Sequence, residues 1–257
     1  MRLRVVLLVL ALVLAATAVV PVLLLGEDDD AVVAPAPPFN PCRAKAISWQ
    51  PRIFVYKGFL SDDECDHLVT LAKKETMVAH NQSGYSSGRT STGMFLKKRQ
   101  DPVVSRIEER IAAWTFLPQE NAENMQIQRY QHGQKYEPHR DQGLGYWVNQ
   151  QLRPGGYRYA TVLMYLSTVD KGGETVFPKA KGWESQPKDD TFSECAHKGL
   201  AVKPVKGDAV LFFSLHVDRE LDPLSLHRSC PVIQGEKWSA PMWIHVRSYE
   251  NPPVVDL

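Results

Sequence analysis

The half of the chain that follows residue 125 reads as short strands separated by turns, and this pattern constrains the fold most. Residues 125–130 alternate in polarity, and residues 159–166 and 209–213 are apolar runs of strand length. Gly172-Gly173 and Gly207-Asp208 are turn sequences beside such runs. Many short strands without long helices between them predict an antiparallel double-sheet barrel, or jelly roll.

Two amphipathic helices are predicted before this region. Ser61 and Glu64 form the capping-box pattern at the start of one helix. Asp101 followed by Pro102 is the start expected for the second. We therefore expect an α+β fold in which N-terminal helices pack outside a double-stranded β core.

The last predicted strand, residues 238–246 with Lys237 before it, separates polar from apolar side chains. Because side chains of a strand alternate between its faces, the residues fall into two sets. One set is Lys237, Ser239, Trp243, His245 and Arg247, and the other is Trp238, Ala240, Met242, Ile244 and Val246. The first set suits a polar cavity, and the second suits a packed core.

The N-terminus predicts a membrane anchor. Residues 5–25 carry no charge and are long enough to span a bilayer as a helix. The arginines precede this run and acidic residues follow it, so residues 1–4 are expected in the cytoplasm and the rest in the lumen. Residues 26–50 are proline-rich and predict a stalk, and residues 51–250 are predicted to form one folded domain.

A cleaved signal peptide is the alternative, because Ala16-Thr17-Ala18 fits a cleavage site. Either interpretation predicts the secretory pathway. The anchor predicts a single-pass type II protein of the endoplasmic reticulum membrane, or of the Golgi, with its catalytic part in the lumen. There the four cysteines permit two disulfides, and Asn81 begins a glycosylation sequon. The net charge of +1 gives no reason to expect a nucleic-acid partner.

His139, Asp141 and His227 are candidate metal ligands. His139 and Asp141 are two residues apart, so an extended segment points both side chains the same way. We expect His227 to join them from a facing strand. Two imidazoles and a carboxylate can hold iron(II) on one side and leave the other side open for a 2-oxo acid and dioxygen. Lys237 and the Tyr130 hydroxyl could then bind the far carboxylate of 2-oxoglutarate.

A zinc hydrolase could use the same three ligands. It would also need a general base close to the metal. Glu137 and Glu174 are the candidates for that role, although neither has an obvious placement in the sequence.

From about residue 50 to 249 the chain resembles the plant and algal prolyl 4-hydroxylases, relatives of the collagen prolyl 4-hydroxylase catalytic subunit. The resemblance rests on Arg-Thr-Ser-Thr-Gly at 89–93, Gly-Gln-Lys-Tyr-Glu-Pro-His at 133–139, the run at 159–167, Gly-Gly-Glu-Thr-Val-Phe-Pro at 172–178, Lys-Gly-Asp-Ala at 206–209, Ser-Leu-His at 225–227 and Gly-Glu-Lys-Trp-Ser-Ala at 235–240. These motifs occur in one order along the chain, which makes them more specific than three ligands alone.

The resemblance implies a double-stranded β-helix that uses iron(II), 2-oxoglutarate, dioxygen and ascorbate. It implies hydroxylation of C4 of peptidyl proline in proline-rich secretory or cell-wall proteins, with conversion of 2-oxoglutarate to succinate and carbon dioxide. It matches His139, Asp141 and His227 to the iron ligands, and Lys237 and Tyr130 to the groups that hold 2-oxoglutarate. It places five residues at the peptide: Arg89, Tyr136, Arg158, Trp243 and His245.

The chain departs from the family pattern close to these residues. Arg140 replaces an aromatic residue, Gln142-Gly143 replaces Tyr-Phe, Arg228 replaces glycine, and Pro241-Met242 replaces Thr-Lys. Strand alternation is expected to point both arginines away from the metal. These departures raise an alternative function. The chain would then be a catalytically weak or silent relative of the enzymes that binds proline-rich chains.

Overall fold

The described part of the chain is mostly β-sheet, with two long helices. The computed structural model describes residues 38–79, 88–141 and 154–250. Its strands are β1 (Ala44–Trp49), β2 (Arg52–Tyr56), β3 (Val78–Ala79), β4 (Thr92–Phe95), β5 (Gln126–Tyr130), β6 (Tyr136–His139), β7 (Arg158–Tyr165), β8 (Lys171–Gly172), β9 (Thr175–Phe177), β10 (Leu200–Val202), β11 (Ala209–Phe213), β12 (His227–Ser229), β13 (Val232–Gln234) and β14 (Lys237–His245). Its helices are α1 (Asp62–Lys74) and α2 (Pro102–Thr115).

Two antiparallel sheets form the core of the fold. The larger has eight strands in the order β1-β2-β11-β7-β14-β5-β4-β3, and the smaller has four in the order β10-β9-β12-β6. β13 and β8 form a separate pair. The non-sequential strand order, with antiparallel pairing in both sheets, is consistent with the predicted jelly-roll core.

The side chains of β7 show how the layers pack. Ala160, Val162 and Met164 belong to the apolar cluster that also contains the buried faces of both helices. On the opposite face, Tyr165 packs against β9 and β10 of the smaller sheet. One face of the larger sheet is therefore covered by helices, and the other encloses the space between the two sheets.

Both helices begin at the predicted residues. In α1 the Ser61 hydroxyl accepts a hydrogen bond from the Glu64 N–H at 3.0 Å, and the Ser61 N–H donates to the Glu64 carboxylate at 3.1 Å. In α2 the Asp101 carboxylate accepts from the Val104 N–H at 2.9 Å. These contacts satisfy N–H groups that have no partner within a helix, which is why the two patterns fix the helix starts.

The fold begins earlier than the sequence predicted. Residues 26–50 were expected to form a stalk, but β1 pairs along most of its length with β2 at the edge of the larger sheet. Most of its side chains are exposed, so this edge strand lacks the apolar alternation that would have revealed it. The predicted domain start at 51 is therefore too late.

The predicted anchor at 5–25 and the sequon at Asn81 lie outside the described residues. Within the described ranges, neither helix is long and apolar enough to span a bilayer. The structure does settle part of the cysteine pairing, which the sequence left open. Cys195 and Cys230 form a disulfide, whereas Cys42 is exposed and Cys65 is buried, both as free thiols.

A buried ion pair joins the two helices. The Arg110 guanidinium donates to both carboxylate oxygens of Glu64 at 2.9 Å, and also to the carbonyl oxygen of Phe59 at 2.9 Å. Glu64 is fully buried and Arg110 almost so. Neither charge can be exposed to water if its partner is lost, so breaking the pair leaves an uncompensated buried charge.

We predict that Glu64→Gln lowers the free energy of unfolding by about 3 kcal/mol, because it leaves the buried Arg110 charge without a counter-charge. Glutamine also serves at the third position of a capping box, so the helix start is preserved. Urea unfolding measures the change. The matched control is Asp66→Asn in the same helix, which breaks an exposed pair with Lys206 and should change stability by less than about 1 kcal/mol. Equal effects of the two substitutions would contradict this assignment.

Candidate metal centre and active site

His139 and His227 lie side by side because their strands are hydrogen-bonded neighbours. β6 and β12 pair antiparallel with His227 opposite His139, and the two ring centres are 4.4 Å apart. The second histidine thus comes from the adjacent strand of the smaller sheet, not from a facing strand as expected. Asp141 follows the end of β6, and its Oδ1 is 3.6 Å from the Nε2 atom of each histidine. One ligand atom from each residue lies within 4.8 Å of the others.

Backbone carbonyls determine which nitrogen of each imidazole faces this centre. The Nδ1 atom of His139 bonds the carbonyl oxygen of Glu137 at 2.8 Å, and that of His227 bonds the carbonyl of Ser225 at 3.0 Å. A carbonyl oxygen can only accept, so Nδ1 carries the hydrogen and Nε2 presents its lone pair. Burial, aided by the nearby His227, lowers the pKa of His139 to about 3. The ring is therefore neutral at pH 7, as a metal ligand must be.

The Asp141 carboxylate is buried and held in place by a hydroxyl. Its Oδ2 accepts a hydrogen bond from the Thr161 hydroxyl at 2.7 Å, which leaves Oδ1 directed at the histidines. Burial by itself raises the pKa of Asp141. His227, His139 and Arg158 outweigh that effect and hold the pKa below its usual value. The carboxyl group is thus ionised.

This donor set fits iron(II). Two imidazole nitrogens and one carboxylate oxygen on one side of an ion form the facial arrangement of non-haem iron oxygenases, which leaves positions open. All three residues line one cavity between the sheets, so the open positions would face a space that can admit other ligands. The bonds to Nδ1 and to Oδ2 are the outer contacts that usually orient such ligands.

Lys237 lies in the same cavity as a buried cation. Its side chain is 1% exposed, and its Nζ donates to the Gly173 carbonyl at 2.8 Å and the Ser229 hydroxyl at 2.9 Å. Burial lowers the pKa of Lys237 to about 7, with Glu174 acting in the opposite direction. Within the described residues no carboxylate forms a salt bridge with it, so an incoming carboxylate would supply the missing counter-charge.

Tyr130 lies beside Lys237, with the ring centre 5.4 Å from Nζ. Both residues line the cavity, as predicted. The Tyr130 hydroxyl is 3.0 Å from the Oε1 atom of Gln128 and donates to it. The hydroxyl proton is therefore already shared within the protein.

Four of the five predicted peptide-binding residues surround the metal ligands. Tyr136 stacks on His139 with ring centres 3.5 Å apart, and the Arg89 guanidinium lies 5.1 Å from the centre of the Tyr136 ring. Arg158 lies 4.1 Å from the centre of the Trp243 ring. Of these four, Tyr136 and Trp243 line the cavity directly.

His245 is placed differently from the prediction. The pairing of β14 with β7 is irregular between Ile244 and His245, so the alternation that places Lys237, Ser239 and Trp243 in the cavity does not extend to His245. Its side chain is fully buried and bonds the Glu123 carboxylate at 2.7 Å and the Gly156 carbonyl at 2.9 Å. The geometry does not support the direct peptide contact predicted for it.

Neither candidate base of the zinc-hydrolase reading faces the three ligands. Glu137 pairs with Lys135 at 2.5 Å and with Arg228 at 3.2 Å. The Glu174 carboxylate is buried and accepts from the N–H and hydroxyl of Ser193 at 2.8 and 2.7 Å. Both carboxylates are thus paired with other residues, away from the three candidate ligands. Neither is placed to act as the general base of a zinc hydrolase.

Of the departures from the family pattern, Arg140, Arg228 and Pro241 lie among the described residues, whereas Gln142-Gly143 lies outside them. Arg228 pairs with Glu137 at 3.2 Å, yet it also lines the cavity, so it is not wholly turned away as expected. Arg140 does not line the cavity. Pro241 lies beyond the part of β14 that pairs with β5, so its missing N–H removes no bond from that ladder.

Several residues that shape the site were missed in the sequence. Thr161 is a polar residue within an otherwise apolar strand. Its hydroxyl in that run is the feature from which a role in the site could have been predicted. Ser229 follows His227 by two residues and therefore shares its side of β12. Glu123, which holds Arg158 at 2.6 and 2.8 Å, precedes the first strand of the predicted barrel and gives no such signal.

Comparisons with known proteins agree with this geometry. A model described as the 2OG-Fe(II) oxygenase superfamily matches residues 125–245. Probable prolyl 4-hydroxylase 7 of Arabidopsis thaliana is 59% identical over 220 residues, which cover 83% of this chain and 68% of the relative. Prolyl 4-hydroxylase 2 of the same plant is 52% identical over 231 residues, covering 86% of this chain and 76% of the relative.

A solved structure shows the same fold. The viral collagen prolyl hydroxylase of Paramecium bursaria Chlorella virus-1, in complex with 2-oxoglutarate, is 28% identical and superposes with a TM-score of 0.56. The match covers 75% of this chain and 94% of that one. The matched oxygenase region contains His139, Asp141, His227 and Lys237. The chain therefore belongs to the prolyl 4-hydroxylase family of iron(II)- and 2-oxoglutarate-dependent oxygenases.

Proposed function

We propose that this chain hydroxylates C4 of prolyl residues in proline-rich polypeptides and converts 2-oxoglutarate to succinate and carbon dioxide in the same reaction. The observation that carries the proposal is the convergence of His139, Asp141 and His227 in a cavity that also contains the buried cation of Lys237. The names of the Arabidopsis and viral relatives supply the reaction type.

The residues of this chain orient the reactants. Iron(II), when bound with 2-oxoglutarate and dioxygen, supplies the oxidising chemistry that replaces a C–H bond by C–OH. His139 and His227 would hold it through Nε2, because their Nδ1 atoms are tied to backbone carbonyls. Asp141 would hold it through Oδ1, because Thr161 occupies Oδ2. Ascorbate is the reductant expected for this family, and we propose it as a cofactor here.

Lys237 is proposed to hold the far carboxylate of 2-oxoglutarate. Its ammonium group has three hydrogens, of which two are used by Gly173 and Ser229. The third can donate to a carboxylate at this buried position, where a charge-assisted bond is strong. Tyr130 is the second proposed contact of this carboxylate.

The peptide is proposed to lie along the mouth of the cavity. Tyr136 and Trp243 supply aromatic walls, and Arg89 and Arg158 lie behind those rings. Proline-rich segments are already extended as polyproline II, and aromatic-lined grooves bind this conformation at a low entropic cost. His245 would act through Glu123 and Arg158 rather than by contact with the peptide.

We propose that the enzyme acts in the lumen of the endoplasmic reticulum, anchored as a type II membrane protein by residues 5–25. The uncharged run with arginines before it supports the anchor. The disulfide between Cys195 and Cys230 is the kind of bond that persists in an oxidising compartment. Asn81 is the proposed glycosylation site in that compartment.

We predict that the full-length chain, given iron(II), ascorbate, 2-oxoglutarate and a proline-rich peptide, adds one oxygen atom to proline and forms succinate. Mass spectrometry of the peptide measures the addition. His227→Ala should reduce it to background, because it removes one of three proposed ligands. His216→Ala is the matched control and should retain activity, since that residue lies outside the cavity. Thermal unfolding confirms that both variants fold.

Two outcomes would contradict this function. A peptide that binds without gaining mass, and with no succinate formed, would favour the silent relative, in which Arg228 in the cavity is the altered feature. Tight zinc binding with no requirement for 2-oxoglutarate would favour the hydrolase. Activity retained in His227→Ala would remove this residue from the ligand set.

We predict that 2-oxoglutarate binds more weakly as pH rises above about 7, because Lys237 then loses its charge. Below that pH the lysine is protonated and the carboxylate of the ligand is still ionised, so their attraction is complete. Apart from its two hydrogen-bond partners, Lys237 has the Tyr130 and Tyr165 rings beside it and the more distant Glu174. Affinity should fall by up to about tenfold per pH unit.

Calorimetric titration of the manganese(II)-loaded chain between pH 6.5 and 8.5 measures this dependence without turnover. Lys237→Met is the matched variant, similar in length and without charge. It should bind 2-oxoglutarate weakly and with little pH dependence. If it kept the wild-type slope, another group would be responsible.

A further inference from the structure

A row of three polar side chains follows β5, and two of them, Gln128 and Tyr130, line the cavity. Gln126, Gln128 and Tyr130 are spaced two residues apart along β5 and therefore share one face of the strand. All three are buried, at 4%, 6% and 2% exposure, and Ile127 between the glutamines is in the apolar core. Buried amides must find hydrogen-bond partners, and Gln128 bonds both of its neighbours in this row.

The direction of each hydrogen bond in this row is fixed by Arg89. The Arg89 guanidinium has donors only, so Gln126 must present Oε1 to it, at 3.2 Å. The same Oε1 accepts from Nε2 of Gln128 at 2.8 Å. Gln128 therefore turns its own Oε1 toward Tyr130, and the Tyr130 hydroxyl must be the donor at 3.0 Å.

This direction creates a competition for one proton. A tyrosine hydroxyl has a single hydrogen, and in this structure it is given to Gln128. A carboxylate held by Lys237 would lie close to Tyr130 and can only accept hydrogen bonds. If Tyr130 donates to that carboxylate, the Oε1 atom of Gln128 loses its donor in a buried site.

Ser239 is placed to replace that donor. It lies directly opposite Gln128 in the pairing of β14 with β5, and both residues line the cavity. Side chains that are directly opposite in a ladder are close enough to contact. The Ser239 hydroxyl is buried, and it has no hydrogen-bond partner within the described residues.

We propose that Gln128 and Ser239 are positioning residues for the co-substrate. When the Tyr130 hydroxyl turns to the carboxylate held by Lys237, the Ser239 hydroxyl donates to Gln128 in its place. The amide keeps its orientation, and the row that ends at Arg89 stays intact. This inference rests on the proposed function, because it needs 2-oxoglutarate in the cavity. It gives Ser239 an indirect role in binding, without contact with the co-substrate.

The test is a set of double-mutant cycles on 2-oxoglutarate affinity. The probe is 2-oxoglutarate itself, titrated without dioxygen into the manganese(II)-loaded full-length chain by calorimetry. Ser239→Ala should weaken binding about tenfold in the wild-type background, because the Gln128 carbonyl is then left unsatisfied only in the bound state. The same substitution should change affinity by less than about twofold in a Gln128→Met or a Tyr130→Phe background, where no donor has to be replaced.

Ser214→Ala is the matched control, since this hydroxyl is also buried and has no partner among the described residues, but it lies outside the cavity. It should leave the affinity unchanged. If Ser239→Ala weakens binding equally in all backgrounds, Ser239 contacts the co-substrate directly and the inference fails. It also fails if Ser239→Ala has no effect in the wild type. A wild-type chain that does not bind 2-oxoglutarate would instead overturn the proposed function itself.

Discussion

The pairing of β6 with β12 is the interaction on which the site depends. It places His139 opposite His227, and the backbone of the same segments supplies the carbonyls that orient both rings. The metal-binding geometry is therefore built into a β-ladder, whose strands are fixed by backbone hydrogen bonds. Asp141 is oriented by a residue of the opposite sheet, because its carboxylate accepts a hydrogen bond from the Thr161 hydroxyl. The position of the third ligand therefore depends on how the two sheets pack against each other.

The second feature of the site is a set of buried polar groups that lack partners within the described part of the protein. Lys237 is buried without a carboxylate partner within the described residues, and the Ser239 hydroxyl beside it is unsatisfied. Both features cost stability in the empty protein. A dicarboxylate would supply the missing counter-charge. By accepting from Tyr130 it would also leave the Gln128 carbonyl free to accept from Ser239, so binding would recover part of this cost. The site would select a dicarboxylate because Lys237 and Ser239 lack partners when that ligand is not bound.

The sequence predicted those parts of the fold whose signals are local. The capping residues Ser61 and Asp101 gave both helix starts, and strand alternation placed Lys237 and Trp243 in the cavity. The sequence-based prediction failed where a contact between distant parts of the chain determines the local structure. An irregular pairing with β7 withdraws His245 into the core, and β1 is a strand only because β2 pairs with it. The partners of His139, Thr161 and Cys195 likewise depend on which distant strands meet.

The central claim is that His139, Asp141 and His227 together hold one iron(II) ion. A crystal structure of the iron-loaded chain, with diffraction recorded on both sides of the iron absorption edge, tests it most directly. We expect one anomalous peak bounded by the Nε2 atoms of both histidines and Oδ1 of Asp141, on the side open to Lys237. A peak at other residues, or no peak in crystals of a chain that retains bound iron, would contradict the account.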